Sequence, residues 1–528
     1  MLDSIMSSTA FDSGIRKKQD VPHQQACAAW SNRILILSLI GISYFTLFPF
    51  RFEFDATLVF HRYPFLLESS IKQPHFKDSF LNVLLFVPFG FGISAQVRKR
   101  GGSKWISFLL AMAAGAGVSY LVEVLQFYIP ARDSGWEDVI FNSAGSVAGF
   151  FLYALCGRAI LEEATKWEEG FEGWLTPLRT AMLLVTYFAV TFGISARLQR
   201  ETRLSNWDPQ CILNVGNDAS GQNPWKGQIF RLQIWNRALP DQAIRRLAGQ
   251  ESTDEPGTGL LGSYDFTSPP PYQDRNHFLP ALDWIPEQPQ ITSNRAPEWG
   301  VRSWLSSKIP VQNLTQEIMK SNQFTVHIVC EPAAGEDGNG RLLSFSQSAG
   351  NVNFLLRQEG QFLVLRLRNP LSARRSLLAW YVPGAFVLGK VRDIVASYDG
   401  SDAFVYLDGN RVPREYRLSP GASLVHHFDF IETGALEGYV IVYETLVFLP
   451  AGLLLGIALR KWGRQNTSSL WMVALGWIFP AVLLEIFLVE VSGRRIWAGN
   501  IALALVFGLA GMFLINADRR FKNPARVS

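Results

Sequence analysis

Seven polar side chains sit at helical spacing within or beside long apolar stretches: Asp78, Asn82, Glu123, Gln126, Arg132, Asp138 and Asn142. Asp78 and Asn82 are four apart, as are Asp138 and Asn142, while Glu123 and Gln126 are three apart, so each pair shares one face of a helix. As chemistry, the set offers acid–base transfer by Asp78, Glu123 and Asp138 and anion holding by Arg132, suited to a lipid-linked substrate or a phosphate head. The alternative is an interhelical clamp in which Arg132 is the counter-ion of Glu123 or Asp138 and the amides meet backbone. A charged residue at the centre of a membrane helix costs about 2.5–3.5 kcal/mol. Polar groups gathered at one depth must therefore satisfy one another or line a wet pocket. The seven histidines are scattered, with neither HExxH nor Cys-x-x-Cys spacing, so neither a metal nor another resident cofactor is expected.

The elements that hold these residues follow from the apolar runs. Across 528 residues the hydrophobic share is 48 %, an average over two populations: membrane-length runs in 33–195 and 436–516, and a polar segment between them. Eight spans are expected, at 33–50, 79–97, 105–128, 137–156, 178–196, 436–459, 469–491 and 496–516, each near the roughly 20 residues that cross a bilayer as a helix. Arg98, Lys99, Arg100 and Lys104, then Arg158 and Lys166, then Arg460, Lys461 and Arg464, then Arg519, Arg520 and Lys522 all fall on one side if both termini are cytoplasmic. Arg51, Arg62, Lys72 and Lys77 vote the other way. Arg16, Lys17 and Lys18 before the first span read as a signal anchor rather than a cleaved signal peptide. The net charge of +4 gives no reason to expect a nucleic-acid partner; membrane lipids are the expected one. The division is then a cytoplasmic tail 1–32, a membrane unit 33–156, a cytoplasmic linker with the fifth span 157–199, an extracytoplasmic domain 200–430, further spans 431–516 and a tail 517–528. In this topology all seven polar residues lie in the outer part of the membrane.

The unit recurs. Phe86, Pro88 and Gly90 return as Phe448, Pro450 and Gly452; Glu123 returns as Glu485, Arg132 as Arg494 and Gly149 as Gly511, every pair 362 positions apart. At the same offset Asn82 becomes Glu444, Gln126 Leu488, Asp138 Asn500, Asn142 Ala504 and Gly145 Phe507. Packing residues and one Glu–Arg pair persist while much of the polar set goes, so the first copy is expected to hold any active pocket and the second to be degenerate. Gly145-x-x-x-Gly149 allows close helix approach. Two four-helix units in parallel also suit a transporter or flippase.

In order, Asp-x-x-x-Asn-x-x-x-Phe-x-Pro-x-Gly from Asp78, Glu-x-x-Gln from Glu123, Pro-x-Arg ending at Arg132, and Asp-x-x-x-Asn-x-x-Gly-x-x-x-Gly from Asp138 resemble the VanZ-like membrane proteins. The resemblance covers about 30–156. It implies a bacterial cell-envelope protein of the cytoplasmic membrane, linked to glycopeptide antibiotic response, with no reaction specified.

Residues 200–430 alternate polar and apolar in short runs between Gly, Pro, Asn and Asp, the pattern of an all-β sandwich. Trp225 to Leu239 and Tyr398 to Arg411 resemble segments of the concanavalin A-like, laminin-G-type jelly roll, in reversed chain order, as a circular permutation would give. The fold class expected is thus a multi-pass α-helical membrane protein, a duplicated four-helix unit with an inserted jelly roll. The resemblance implies binding of a glycan or a lipid-linked envelope precursor, and allows calcium. Asp399 and Asp408 read as turn residues rather than calcium ligands. Trp207, Trp225, Trp235, Trp299, Trp304 and Trp380 stack on sugars or fill the core. Two carboxylates placed for glycosidase chemistry are not evident, and no enzymatic activity is assigned. Cys211 and Cys330 both fall in this domain, where an oxidising compartment permits a disulfide; two buried thiols in strands are the alternative.

Overall fold

The computed structural model describes residues 29–48, 50, 52, 76–129, 135–248, 258–285, 298–299, 303–333, 338–348, 350–372, 379–413, 416–427, 438–462, 471 and 473–520. They form two compact units, one of residues up to 187 with 445–480 and 504–528, the other of 188–444 with 481–503.

Five helices come first: α1 (Ala29–Leu47), α2 (Phe76–Lys99), α3 (Lys104–Gln126), α4 (Trp136–Trp174) and α5 (Pro177–Arg200). Ile42 of α1, Phe86 and Phe89 of α2 and Val122 of α3 share one buried cluster. Glycines bring α4 onto α2. A Cβ at Gly90 would stand 1.9 Å from Ser146 O, one at Gly145 2.3 Å from Val83 O, and one at Gly149 2.1 Å from Val87 O. Only hydrogen fits at these points, which is why the Phe-x-Pro-x-Gly stretch faces a small-x-x-x-small one.

The fourth span was expected to end at 156, yet α4 runs 39 residues to Trp174. Past the apolar stretch it continues on helix-favouring Glu, Ala and Lys. Arg33 of α1 bonds Glu168 at 2.7 Å, and Arg460 reaches Glu168 at 2.6 Å and Glu172 at 2.8 Å. The linker begun at 157 is therefore helix as far as Trp174.

The β domain holds fifteen strands among the described residues: β1 (Ile212–Val215), β2 (Gly227–Trp235), β3 (Leu260–Asp265), β4 (Asp283–Ile285), β5 (Glu298–Trp299), β6 (Trp304–Pro310), β7 (Phe324–Pro332), β8 (Asn339–Ser346), β9 (Val352–Glu359), β10 (Phe362–Leu367), β11 (Ala379–Val382), β12 (Arg392–Tyr398), β13 (Asp402–Leu407), β14 (Asn410–Arg411) and β15 (Tyr416–Arg417). Helices α6 (Asp241–Ala248), α7 (Gln312–Ser321) and α8 (Pro420–His427) accompany them. One sheet has the order β11-β10-β9-β8-β1-β6-β4; the other runs β14-β13-β12-β7-β2-β3, with β15 on β13 and β5 on β2. All these pairings are antiparallel. Phe324 of the second sheet and Phe354 of the first meet with ring centroids 5.0 Å apart, which joins the layers as a sandwich. The two stretches singled out in the sequence lie in one sheet with β7 between them. Trp207, Trp225, Trp235 and Trp380 are buried core residues.

Asp399 and Asp408 sit in turns, Asp399 Oδ1 accepting from Ser401 N and Asp402 N, and Asp408 holding φ +52°. A disulfide between Cys211 and Cys330 is not formed: both are buried free thiols. Cys211 directly precedes β1 of the first sheet and Cys330 lies in β7 of the second. Burial pushes the Cys211 thiol up to about 11 and raises that of Cys330 as well.

Three more long helices follow: α9 (Gly438–Trp462), α10 (Phe479–Ser492, entered through a π turn Ala474–Ile478) and α11 (Ala498–Arg520). With α1–α5 they make eight helices among the described residues long and apolar enough to cross a membrane. The molecule is thus a multi-pass helical protein with a β sandwich between its fifth and sixth spans. Below, α1–α4 are the first helix set and α5 with α9–α11 the second.

Candidate functional site

The polar residues of the first set gather near the chain ends of three helices. Asn82 lies in the second turn of α2, Glu123 in the last turn of α3, and Asp138 and Asn142 in the first two turns of α4. Antiparallel neighbours joined by a short connection place these ends together. Asn82 Nδ2 donates to Asp138 Oδ1 at 2.6 Å. Asn142 Nδ2 donates to Ser119 Oγ at 2.8 Å, and Ser119 Oγ donates to Asp138 O at 3.5 Å. Glu123 Oε2 accepts from Gly135 N at 2.9 Å, which fastens the start of α4 to the end of α3. Gln126 turns elsewhere, its Nε2 donating to Thr46 O of α1 at 2.8 Å.

Of the residues expected from the sequence, Asn82, Asp138 and Asn142 therefore form one connected cluster, with Glu123 a helical turn from Ser119. Asp78 is on α2 but its side chain is not among those described, and Arg132 lies outside the described residues. Ser119 was missed. Its signal was its place four residues before Glu123, on the face that Gln126 extends.

The interior is tight. Ser119 is fully buried, and Glu123 and Asn142 are each 2 % exposed. Several buried oxygens of these helices are without a hydrogen-bond partner, among them Asn142 Oδ1, Gln126 Oε1 and Ser146 Oγ. Leaving such an atom unsatisfied costs about 1–3 kcal/mol, so Asn142 Oδ1 is a standing acceptor for a donor group. No group of His, Cys, Asp and Glu among the described residues is arranged to hold a metal. The outward faces of these helices are apolar, Leu84 being 54 % and Leu155 85 % exposed, as contact with lipid requires.

Comparison with known proteins places this cluster in a family. The sequence model described as VanZ/LLP1 matches residues 35–157. Residues 35–157 are a VanZ/LLP1 domain. A stretch of 128 residues is 24 % identical to Protein VanZ of Enterococcus faecium, covering 24 % of this chain and 76 % of that protein. No solved structure matches the chain. The VanZ/LLP1 domain takes in α2, α3 and the membrane-length part of α4, hence every described residue of the cluster.

Contacts of the VanZ/LLP1 domain reappear 362 positions on. A Cβ at Gly452 would stand 2.1 Å from Gly508 O, the counterpart of Gly90 against Ser146, and one at Gly511 2.5 Å from Leu449 O, the counterpart of Gly149 against Val87. Glu485 Oε1 accepts from Trp497 N at 2.7 Å, as Glu123 does from Gly135 N. Arg494 grips both oxygens of Glu485, at 2.7 Å each, and Asn500 Nδ2 donates to Oε2 at 3.0 Å.

Proposed function

We propose that this is a bacterial cytoplasmic-membrane protein of the cell envelope, in which the VanZ/LLP1 domain holds an outward-facing polar site. Residues 200–430 would form an extracytoplasmic module that captures a glycan or a lipid-linked envelope precursor. The convergence of Asn82, Ser119, Glu123, Asp138 and Asn142 at one end of three membrane-length helices carries this reading. An interhelical clamp alone leaves Asn142 Oδ1 without a donor, whereas a polar headgroup entering from outside supplies one. The likeness to Protein VanZ points the process toward glycopeptide response.

The test is susceptibility to a glycopeptide antibiotic in a bacterial host expressing the full chain or Glu123→Gln and Asn142→Ala forms at equal membrane levels. Wild type should raise the inhibitory concentration and the variants should not. Equal protection by all three would sink the pocket. Labelling of single cysteines placed in 200–430 from outside intact cells tests the topology, and labelling only after lysis would reverse it.

A second reading, a transporter or flippase, is favoured by the recurrence of glycine contacts at one offset in both helix sets, the pattern of a parallel repeat. Coupled uptake or flipping in proteoliposomes would distinguish it.

A further inference from the structure

A cleft of about 370 Å³ opens on the second sheet, within the roughly 300–1,000 Å³ of small-molecule sites. Val329 lines it and lies five residues from Phe324, whose ring meets the first sheet. By strand alternation the cleft is on the face turned away from that sheet.

Apart from Thr267, its polar lining is one rung. Asp265 pairs with Arg231, Arg231 with Val329 and Val329 with Asp393, across β3, β2, β7 and β12. Asp408 ends the row, its N–H donating to Asp393 O at 2.8 Å and its Oδ1 accepting from Asp393 N at 3.0 Å. The β2 register slips between Ile229 and Arg231. This bulge turns Phe230 and Arg231 together into the cleft.

The spacing selects the ligand. Asp265 and Asp393 stand three strand steps apart, roughly 14 Å at about 4.8 Å per step. Ligand oxygens of one calcium ion lie about 2.3–2.6 Å from it, so the row does not suit a single cation. The arginines already balance the three carboxylates: Asp265 bonds Arg275 at 2.7 Å, Asp408 pairs with Arg392, and Arg231 is the third cation, while Asp393 Oδ2 and His327 Nε2 share a hydrogen bond at 2.9 Å. What stays unsatisfied is Asp393 Oδ1, which is buried and accepts no hydrogen bond; beside it the Arg231 guanidinium, a donor, and the Phe230 ring line the cleft. A carboxylate acceptor, a planar donor and a ring in line fit a neutral, extended, hydroxyl-rich molecule.

We infer that this rung is a sugar-binding site, taking an uncharged oligosaccharide laid across β3, β2, β7 and β12. The inference rests on the proposal that the module captures a glycan and locates where. Calorimetric titration of the full chain, in a detergent without sugar headgroups, would use neutral gluco-, galacto-, manno- and N-acetylglucosamine tetrasaccharides and one sulfated tetrasaccharide. At least one neutral sugar should bind. Arg231→Ala and Asp393→Asn should each weaken it about tenfold or more, one hydrogen bond's worth. Arg231→Gln, which keeps bulk, guards against misfolding and should weaken binding while melting as wild type does. Binding unchanged within about twofold in all three variants overturns the cleft and leaves the glycan reading standing. Binding of the sulfated sugar alone overturns the neutral chemistry. No binding by any sugar removes both.

Discussion

The two helix sets keep the same backbone approach and differ in what fills the space around it. Gly90 on Ser146 and Gly452 on Gly508 are the same contact. Yet the first set has Gly115 facing Ser146 Oγ, and the second has Trp477 facing Gly508, so bulk has moved from one helix to the other. The hydrogen-bonded pair Ser119 and Asn142 is replaced by two buried alanines, Ala481 and Ala504. Asn82 and Asp138, amide and carboxylate, are exchanged for Glu444 and Asn500. The second set thus keeps two carboxylates and one arginine, less degenerate than its loss of Asn82, Asp138 and Asn142 implies. The glycine contacts persist at one offset while the polar residues around them change.

The largest effect should come from the buried ion pair. Glu485 and Arg494 are 3 % and 4 % exposed and doubly bonded. Glu485→Gln leaves Arg494 an uncompensated buried charge, at about 3–5 kcal/mol, read as a lower melting temperature in detergent. If Arg132 stands to Glu123 as Arg494 does to Glu485, then Glu123→Gln should lose as much, and Glu123→Gln with Arg132→Gln should lose no more than either alone. Additive losses would break the correspondence and leave Arg132 as partner to Asp138.

Next in size are the glycines. Gly90→Ala and Gly452→Ala push a methyl to 1.9 and 2.1 Å from a backbone carbonyl. Each should cost about 1–3 kcal/mol as overpacking. Similar losses support a shared architecture; tolerance at either position alone would show that the helix pair there can spread.

Much of this was legible beforehand because membrane helices and sandwich strands are both written in hydrophobic period. The offset of 362 was readable because a glycine under a carbonyl tolerates no substitute. The extension of α4 to Trp174 was not, since a charged amphipathic stretch looks like a linker until Arg33 and Arg460 are seen to hold Glu168. Ser119 escaped because a small hydroxyl in an apolar run stands out only through its spacing to Glu123. The Arg231 rung was hidden for another reason: its members come from β3, β2, β7 and β12, and only strand pairing brings them into line. The fate of Cys211 and Cys330 likewise depended on which sheet each strand joins.

A smaller effect on stability separates clamp from pocket. Ser119→Ala with Asn142→Ala gives the first set the second set's residues. Removing both partners of a buried bond is close to neutral, while removing one leaves the other unsatisfied. The double variant should melt within about 1 kcal/mol of wild type, and Asn142→Ala alone should melt lower. If the double variant keeps its fold and also keeps its phenotype, the amide and hydroxyl serve packing only.

The smallest shift tests the second set's arginine from its other side. Asp399, in the turn between β12 and β13, is 2 % exposed. Burial raises its carboxyl above the usual range, against the pull of hydrogen bonds from Asp402 N and Ser401 N and of Arg494 and Arg495. A folded value above the unfolded one means that the folded state binds this proton more tightly. The contribution to stability is therefore fully present below the unfolded value near 3.9 and is lost as pH rises through the raised folded one. Asp399→Asn keeps an oxygen for Ser401 N and Asp402 N and removes the titration. Wild type should thus lose stability relative to this variant as pH climbs through the acid range, measured as the difference in melting temperature at each pH. The opposite slope would mean that Arg494 and Arg495 outweigh burial. Arg494 would then be shared between Glu485 and Asp399, which ties the Glu485–Arg494 pair to the turn between β12 and β13.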